Sequence, residues 1–139
     1  MNSLTIALFL VVGVSIGLQP SDAVGYTNSC SCGHSYDGNN CAHYLTNWMI
    51  KNGWLSTSPG KSTANCRTGR PIRAKDVRKI FRDKYGAPTR YEPAGNSFIY
   101  VERKRDGKGH VYYGTKRTCV AGTGNGAFAG RDAVWEFYQ

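Results

Sequence analysis

The 139-residue sequence is short of negative charge: nine Asp and Glu stand against eighteen Lys and Arg, a formal net charge of +9. The acids are scattered, and Glu102, Asp106, Asp132 and Glu136 have no distinctive context, which argues against the paired carboxylates of a glycosidase. Long apolar runs are also scarce. After Leu4–Leu18 (LTIALFLVVGVSIGL) none approaches membrane length, so no membrane insertion is expected of the remainder. There is no internal repeat, and the length leaves room for one domain. The Cys30-x-Cys32 spacing is wrong for the usual zinc knuckle, so neither a metal nor any other cofactor is expected. The glycines of Cys119–Arg131 (CVAGTGNGAFAGR) lack the strand–turn–helix context of a dinucleotide fingerprint.

The apolar run that is present sits at the N-terminus, is short for a bilayer span, and is followed by small residues at Ser21 and Ala23. That pattern predicts a secretory leader over 1–23, with a single domain over 24–139. Removing the leader takes away one acid, Asp22, and no base, so the charge rises to +10. Such a surface is drawn to polyanions, and a secreted protein meets bacterial walls more readily than nucleic acid. The domain carries five cysteines, Cys30, Cys32, Cys41, Cys66 and Cys119. An oxidising compartment favours pairing, and an odd count leaves one thiol over, reactive or intermolecular. Cys30 and Cys32 are too close in sequence to pair without strain. The remaining schemes are Cys30–Cys66 with Cys32–Cys119, or Cys30–Cys119 with Cys32–Cys66.

Residues 24–40 are rich in Gly, Ser and Asn and read as loop. Cys41, Leu45, Trp48 and Met49 then recur at helical spacing, with Asn40 as N-cap and Gly53 just past the end. Pro71 is placed for the first turn of a second helix, whose apolar face carries Val77, Ile80 and Phe81 and which stops at Gly86. Its other face (Arg73, Lys75, Arg78, Lys79, Arg82) reads as a solvated basic surface. Phe98–Glu102, His110–Tyr113 and Val134–Tyr138 are β-rich, with a hairpin signal at Asp106-Gly107, and Cys119–Arg131 reads as loop. Two helices followed by an antiparallel meander make an α+β pattern.

Cys41 falls in the first turn of its helix, where unpaired amides carry partial positive charge. They favour thiolate over thiol and supply oxyanion-hole donors. No other cysteine has that setting. Of the three histidines, His43 lies about 200° round the helix from Cys41 and points away. His34 sits in the N-terminal loop. His110 opens a strand and can face a thiol at a helix terminus, so Cys41 is the expected nucleophile and His110 the expected base.

The segments Asn40–Leu45 (NCAHYL), Arg70–Ala74 (RPIRA) and Gly109–Val111 (GHV) resemble the type VI secretion amidase effectors of family 2. The likeness covers roughly residues 36–137 and extends to their secreted eukaryotic relatives, the domesticated amidase effectors, and more broadly to the NlpC/P60 peptidases. It implies a papain-like α+β fold with the Cys-bearing helix packed on an antiparallel sheet. It also implies a secreted antibacterial hydrolase that cleaves peptidoglycan stem peptides at the D-alanine–diamine cross-link. Bacterial peptidoglycan would then be the partner; no nucleic-acid partner is expected, and the chain is expected to be a monomer. NlpC/P60 enzymes place a third polar residue after the histidine; Asn125 and Asp132 are the candidates here, and neither has a convincing context. Two other classes suit a small basic secreted protein, a ribonuclease and a non-enzymatic cationic wall-binding module. Neither needs a reactive cysteine.

Overall fold

The computed structural model describes residues 30, 32, 40–56, 64–124 and 132–139. The expected leader, His34 and Asn125 lie outside them. Two helices, α1 (Cys41–Lys51) and α2 (Ala74–Tyr85), precede four strands: β1 (Ser97–Arg103), β2 (Gly109–Gly114), β3 (Cys119–Ala121) and β4 (Ala133–Tyr138). The strands form one antiparallel sheet in the order β3-β2-β1-β4. The architecture is α+β, with two departures from the expected meander. A short strand, β3, occupies the start of the glycine-rich stretch read as loop. The last strand also passes back to pair with β1 on the far side of the sheet.

Helix α1 ends as its sequence dictates. Gly53 takes the left-handed conformation (φ 75°) just after the helix. Its amide donates to Ile50 O, and that of Trp54 donates to Met49 O, which is the paired bonding of a Schellman cap. The start is different. Asn40 holds the N-cap position, yet its side chain makes no capping bond, so the first-turn amides remain available to another acceptor.

Helix α2 starts three residues later than Pro71 suggests. The chain from 64 to 72 is tied into a tight loop by Cys66 N–H to Arg70 O and Ile72 N–H to Ala64 O, with a bridge between Asn65 and Pro71. That pairing keeps Pro71 extended, and the helix begins only after Arg73.

The sheet buries both faces. Phe98, Tyr100, Val111 and Tyr138 join Leu45 and Met49 of α1 and Val77 and Phe81 of α2 in the main core. The alternate residues Ile99, Tyr112 and Phe137 pack on the opposite face with Cys119 and Trp135. The two-residue period of a strand sorts these side chains, and so explains why β1 is buried at five successive positions.

Arg78 and Arg82 are not merely a solvated face. Glu136, on β4 and only 1% exposed, accepts from Arg78 Nε at 2.7 Å and Nη2 at 2.5 Å, from Arg82 Nη2 at 3.3 Å and from Tyr138 Oη at 2.6 Å. Arg90 approaches the same carboxylate at 3.5 Å. Burial pushes the Glu136 carboxyl up, but these donors prevail and hold it below the usual range. This clamp fastens α2 to the sheet, and the context denied to Glu136 by its neighbours in sequence is supplied across the fold.

Candidate active site

Cys41 opens α1 and is 6% exposed. It packs in the main core beside Val111 of β2. Three backbone N–H groups address its sulfur: that of Val111, that of Ala42 and its own. These are the amides left free by the missing Asn40 cap, together with one from the sheet. Burial is nevertheless the largest influence on the thiol and raises its pKa above the ordinary 9.0; the amides only moderate the rise. The resting group is therefore a neutral thiol ringed by donors. This differs from the helix-terminus expectation of a preformed thiolate, because removing the sulfur from water outweighs the helix-end field.

His110 lies on β2 immediately before Val111, the residue whose amide meets the sulfur. It is 8% exposed. Its Nε2 donates to the carbonyl of Gly124 at 2.7 Å. In a neutral imidazole that assigns the proton to Nε2 and makes Nδ1 the basic nitrogen. Burial lowers the imidazole pKa below the usual 6.5, partly offset by the Gly124 bond, so the ring is neutral at physiological pH. A neutral imidazole is a base able to take up a proton, and its ring lies 5.6 Å from that of Tyr112.

Among the described residues, the group that meets Nε2 of His110 is thus a main-chain carbonyl, which no side-chain pattern in the sequence marks. Asp132 is turned elsewhere: it is exposed, its carbonyl accepts from Lys104 N–H and its carboxylate faces Arg105 at 4.0 Å. Gly124 is itself held from behind, because its N–H addresses the sulfur of Cys119 on β3. A β-carbon at Gly122 would stand 2.7 Å from Tyr112 Cβ and 3.2 Å from the Cys119 sulfur. Only glycine lets the chain leave β3 so close to β2 and reach His110. The one signal for this in the sequence was the density of glycine after Cys119.

Gly109, the residue before His110, has a comparable reason. A β-carbon there would meet the Tyr100 ring at 2.8 Å. Tyr100 lies across it with its hydroxyl on Glu102 and Arg78 4.8 Å above the ring.

His43 faces a second grouping. Its Nε2 lies 3.4 Å from the sulfur of Cys32, while Cys30 and Cys66 sit 3.9 Å apart, sulfur to sulfur. The donor atoms of Cys30, Cys32, His43 and Cys66 all lie within 4.8 Å of one another, and all four residues are buried. Burial pushes the Cys30 thiol up, but the Thr68 hydroxyl, Cys32 and Arg70 together bring it down to about 7. None of the five cysteines is bridged. Neither expected disulfide scheme survives, since each pairs Cys119 with Cys30 or Cys32, and Cys119 packs with Ile99, Tyr112 and Phe137 instead. The cysteines divide into a cluster of three, the Cys41 of the site, and the Cys119 that supports Gly124. The spacing of Cys30-x-Cys32 along the chain is joined in space by His43 and Cys66, so that four donors stand together.

A surface depression lined by Trp54, Leu55, Ile80, Asp83 and Lys84 shares no residue with this site. No protein-family model, curated protein or solved structure matches the chain.

Proposed function

We propose that this protein is a secreted cysteine hydrolase of the papain-like, NlpC/P60 type that cleaves amide bonds in peptidoglycan stem peptides. The observation that carries the reading is the meeting of α1 and β2. The sulfur of Cys41 receives the Val111 amide, and His110, the residue before Val111 on β2, carries a neutral ring whose Nε2 donates to the Gly124 carbonyl. The likeness of NCAHYL, RPIRA and GHV to the amidase effectors of family 2 supplies the substrate class, a D-alanine–diamine cross-link.

In this mechanism His110 takes the thiol proton as sulfur attacks the amide carbon. The first-turn amides of α1 stabilise the oxyanion that forms. His110 then gives the proton to the departing amine, leaving a thioester on Cys41. Water, deprotonated by the same imidazole, releases the new D-alanine carboxylate and restores the thiol. Burial of the thiol makes the proton transfer part of the attack and not a step completed beforehand.

Incubating purified sacculi with the wild-type protein should convert cross-linked muropeptide dimers into monomers, read by mass spectrometry. Cys41→Ala and His110→Ala should each abolish that conversion. Glycan fragments with new reducing ends and intact peptides would show a lysozyme-like enzyme. Full activity in Cys41→Ala would remove the nucleophile from the scheme.

A further inference from the structure

We infer that Cys30, Cys32, His43 and Cys66 form a closed tetrahedral site for a zinc ion, separate from the nucleophile. The four donors come from three parts of the chain: the segment before α1, the first turn of α1, and the loop before α2. Their spacing is that of metal ligands. Zinc–sulfur bonds of about 2.3 Å in a tetrahedron set sulfur–sulfur edges of about 3.8 Å, and mixed sulfur–nitrogen edges are slightly shorter. Cys30 and Cys66 lie 3.9 Å apart, and Cys32 and His43 Nε2 lie 3.4 Å apart. The widest separation in the set, 4.8 Å, closes with about 1 Å of side-chain movement. A disulfide would instead require sulfurs at about 2 Å, in a pair and not in a group of four donors.

The surroundings suit thiolates. The Thr68 hydroxyl is 3.1 Å from both Cys30 and Cys66 sulfurs. Arg70 Nη1 donates to that hydroxyl oxygen at 2.7 Å, which leaves the Thr68 proton for a sulfur, and the same nitrogen is 3.5 Å from Cys30 Sγ. Hydrogen-bond donors of this kind fix ligand orientation and tune the metal. Binding would release three thiol protons, and Zn²⁺ with three thiolates and a neutral imidazole carries one negative charge, which Arg70 balances. With four protein ligands there is no open position for substrate, so the ion is structural. It would tie Cys30, Cys32 and the 64–72 loop to the first turn of α1, two residues from Cys41. The site stands whether or not the hydrolase reading does.

The test uses the full chain secreted from a eukaryotic host and purified without chelator. Elemental analysis should find one zinc per chain, and all five cysteines should be alkylated once the metal is chelated in denaturant. Replacement by Co²⁺ should give strong sulfur-to-cobalt charge-transfer absorption with tetrahedral d–d bands. Cys119→Ser should retain one zinc, and Cys66→Ser should lose it. Chelation should lower the unfolding temperature of Cys41→Ala as much as that of wild type, which separates the metal from catalysis. A folded, zinc-free wild-type protein with a Cys30–Cys66 or Cys32–Cys66 disulfide in its non-reduced peptide map would overturn the proposal. So would zinc that chelator removes without any change in the unfolding temperature.

Discussion

At the scale of single residues, the site rests on two groups held neutral by burial. Cys41 is raised above the ordinary thiol value and His110 is lowered below 6.5. A base works only while unprotonated, so kcat/KM on a soluble muropeptide dimer should stay level at neutral pH and fall only below 6.5, as His110 gains its proton. An acid limb at or above 6.5 would mean that the imidazole is not desolvated as described. In the proposed mechanism thiol and imidazole act as a unit, so the Cys41→Ala, His110→Ala double variant should be hardly worse than either single one. His43→Ala should spare the chemistry while costing stability, since that ring is wholly buried against Cys32. Gly109→Ala drives a methyl group into the Tyr100 ring. It should cost about 1–3 kcal/mol in urea unfolding, the usual penalty for overpacking.

At the scale of elements, the junction that matters is α2 on the sheet. The Glu136 carboxyl is held below its ordinary 4.5 by Arg78, Tyr138 and Arg82. A depressed carboxyl stabilises the fold above its unfolded value, and that contribution is lost as pH falls through the folded one. Wild type should therefore exceed Glu136→Gln by about 2 kcal/mol in chemical denaturation at neutral pH, the range of a charge-assisted hydrogen bond. The lead should shrink once the pH drops below 4.5. A difference independent of pH would mean that shape, and not charge, sets the cost. The helix periodicities that define α1 and α2 were plain in the sequence, because apolar residues three and four apart have no other common explanation. Strand β3 was not. Three residues beside glycines carry too little pattern, and their pairing with β2 is decided by Tyr113 and Gly114 across the sheet.

At the scale of the whole molecule, charge and chemistry should separate. Charges on α2 that take no part in the Glu136 clamp, such as the exposed Lys75 and Lys79, are those the proposed function would set against an anionic wall. Screening shortens to about 3 Å at 1 M salt, so binding to intact sacculi should weaken strongly there. Cleavage of a soluble dimer should change far less. Lys75→Ala with Lys79→Ala should raise the enzyme needed on sacculi and spare the dimer. Equal losses in both assays would place those lysines in support of the fold.

The sequence by itself determined the α+β order, both helix ends marked by glycine, and the candidacy of Cys41 and His110. Each of these is written in local spacing, in a stop residue, or in a chemically rare side chain. Tertiary structure alone decided the rest. The carbonyl of Gly124 orients His110 although backbone atoms carry no residue-type signal. Burial outweighs the helix end and keeps Cys41 neutral, because desolvation depends on everything packed around a sulfur. Glu136 finds three arginines from 46 to 58 positions away. Cys30, Cys32, His43 and Cys66 converge for the same reason: a donor set is a property of distance in space, and spacing along the chain reveals it only when the ligands are neighbours there.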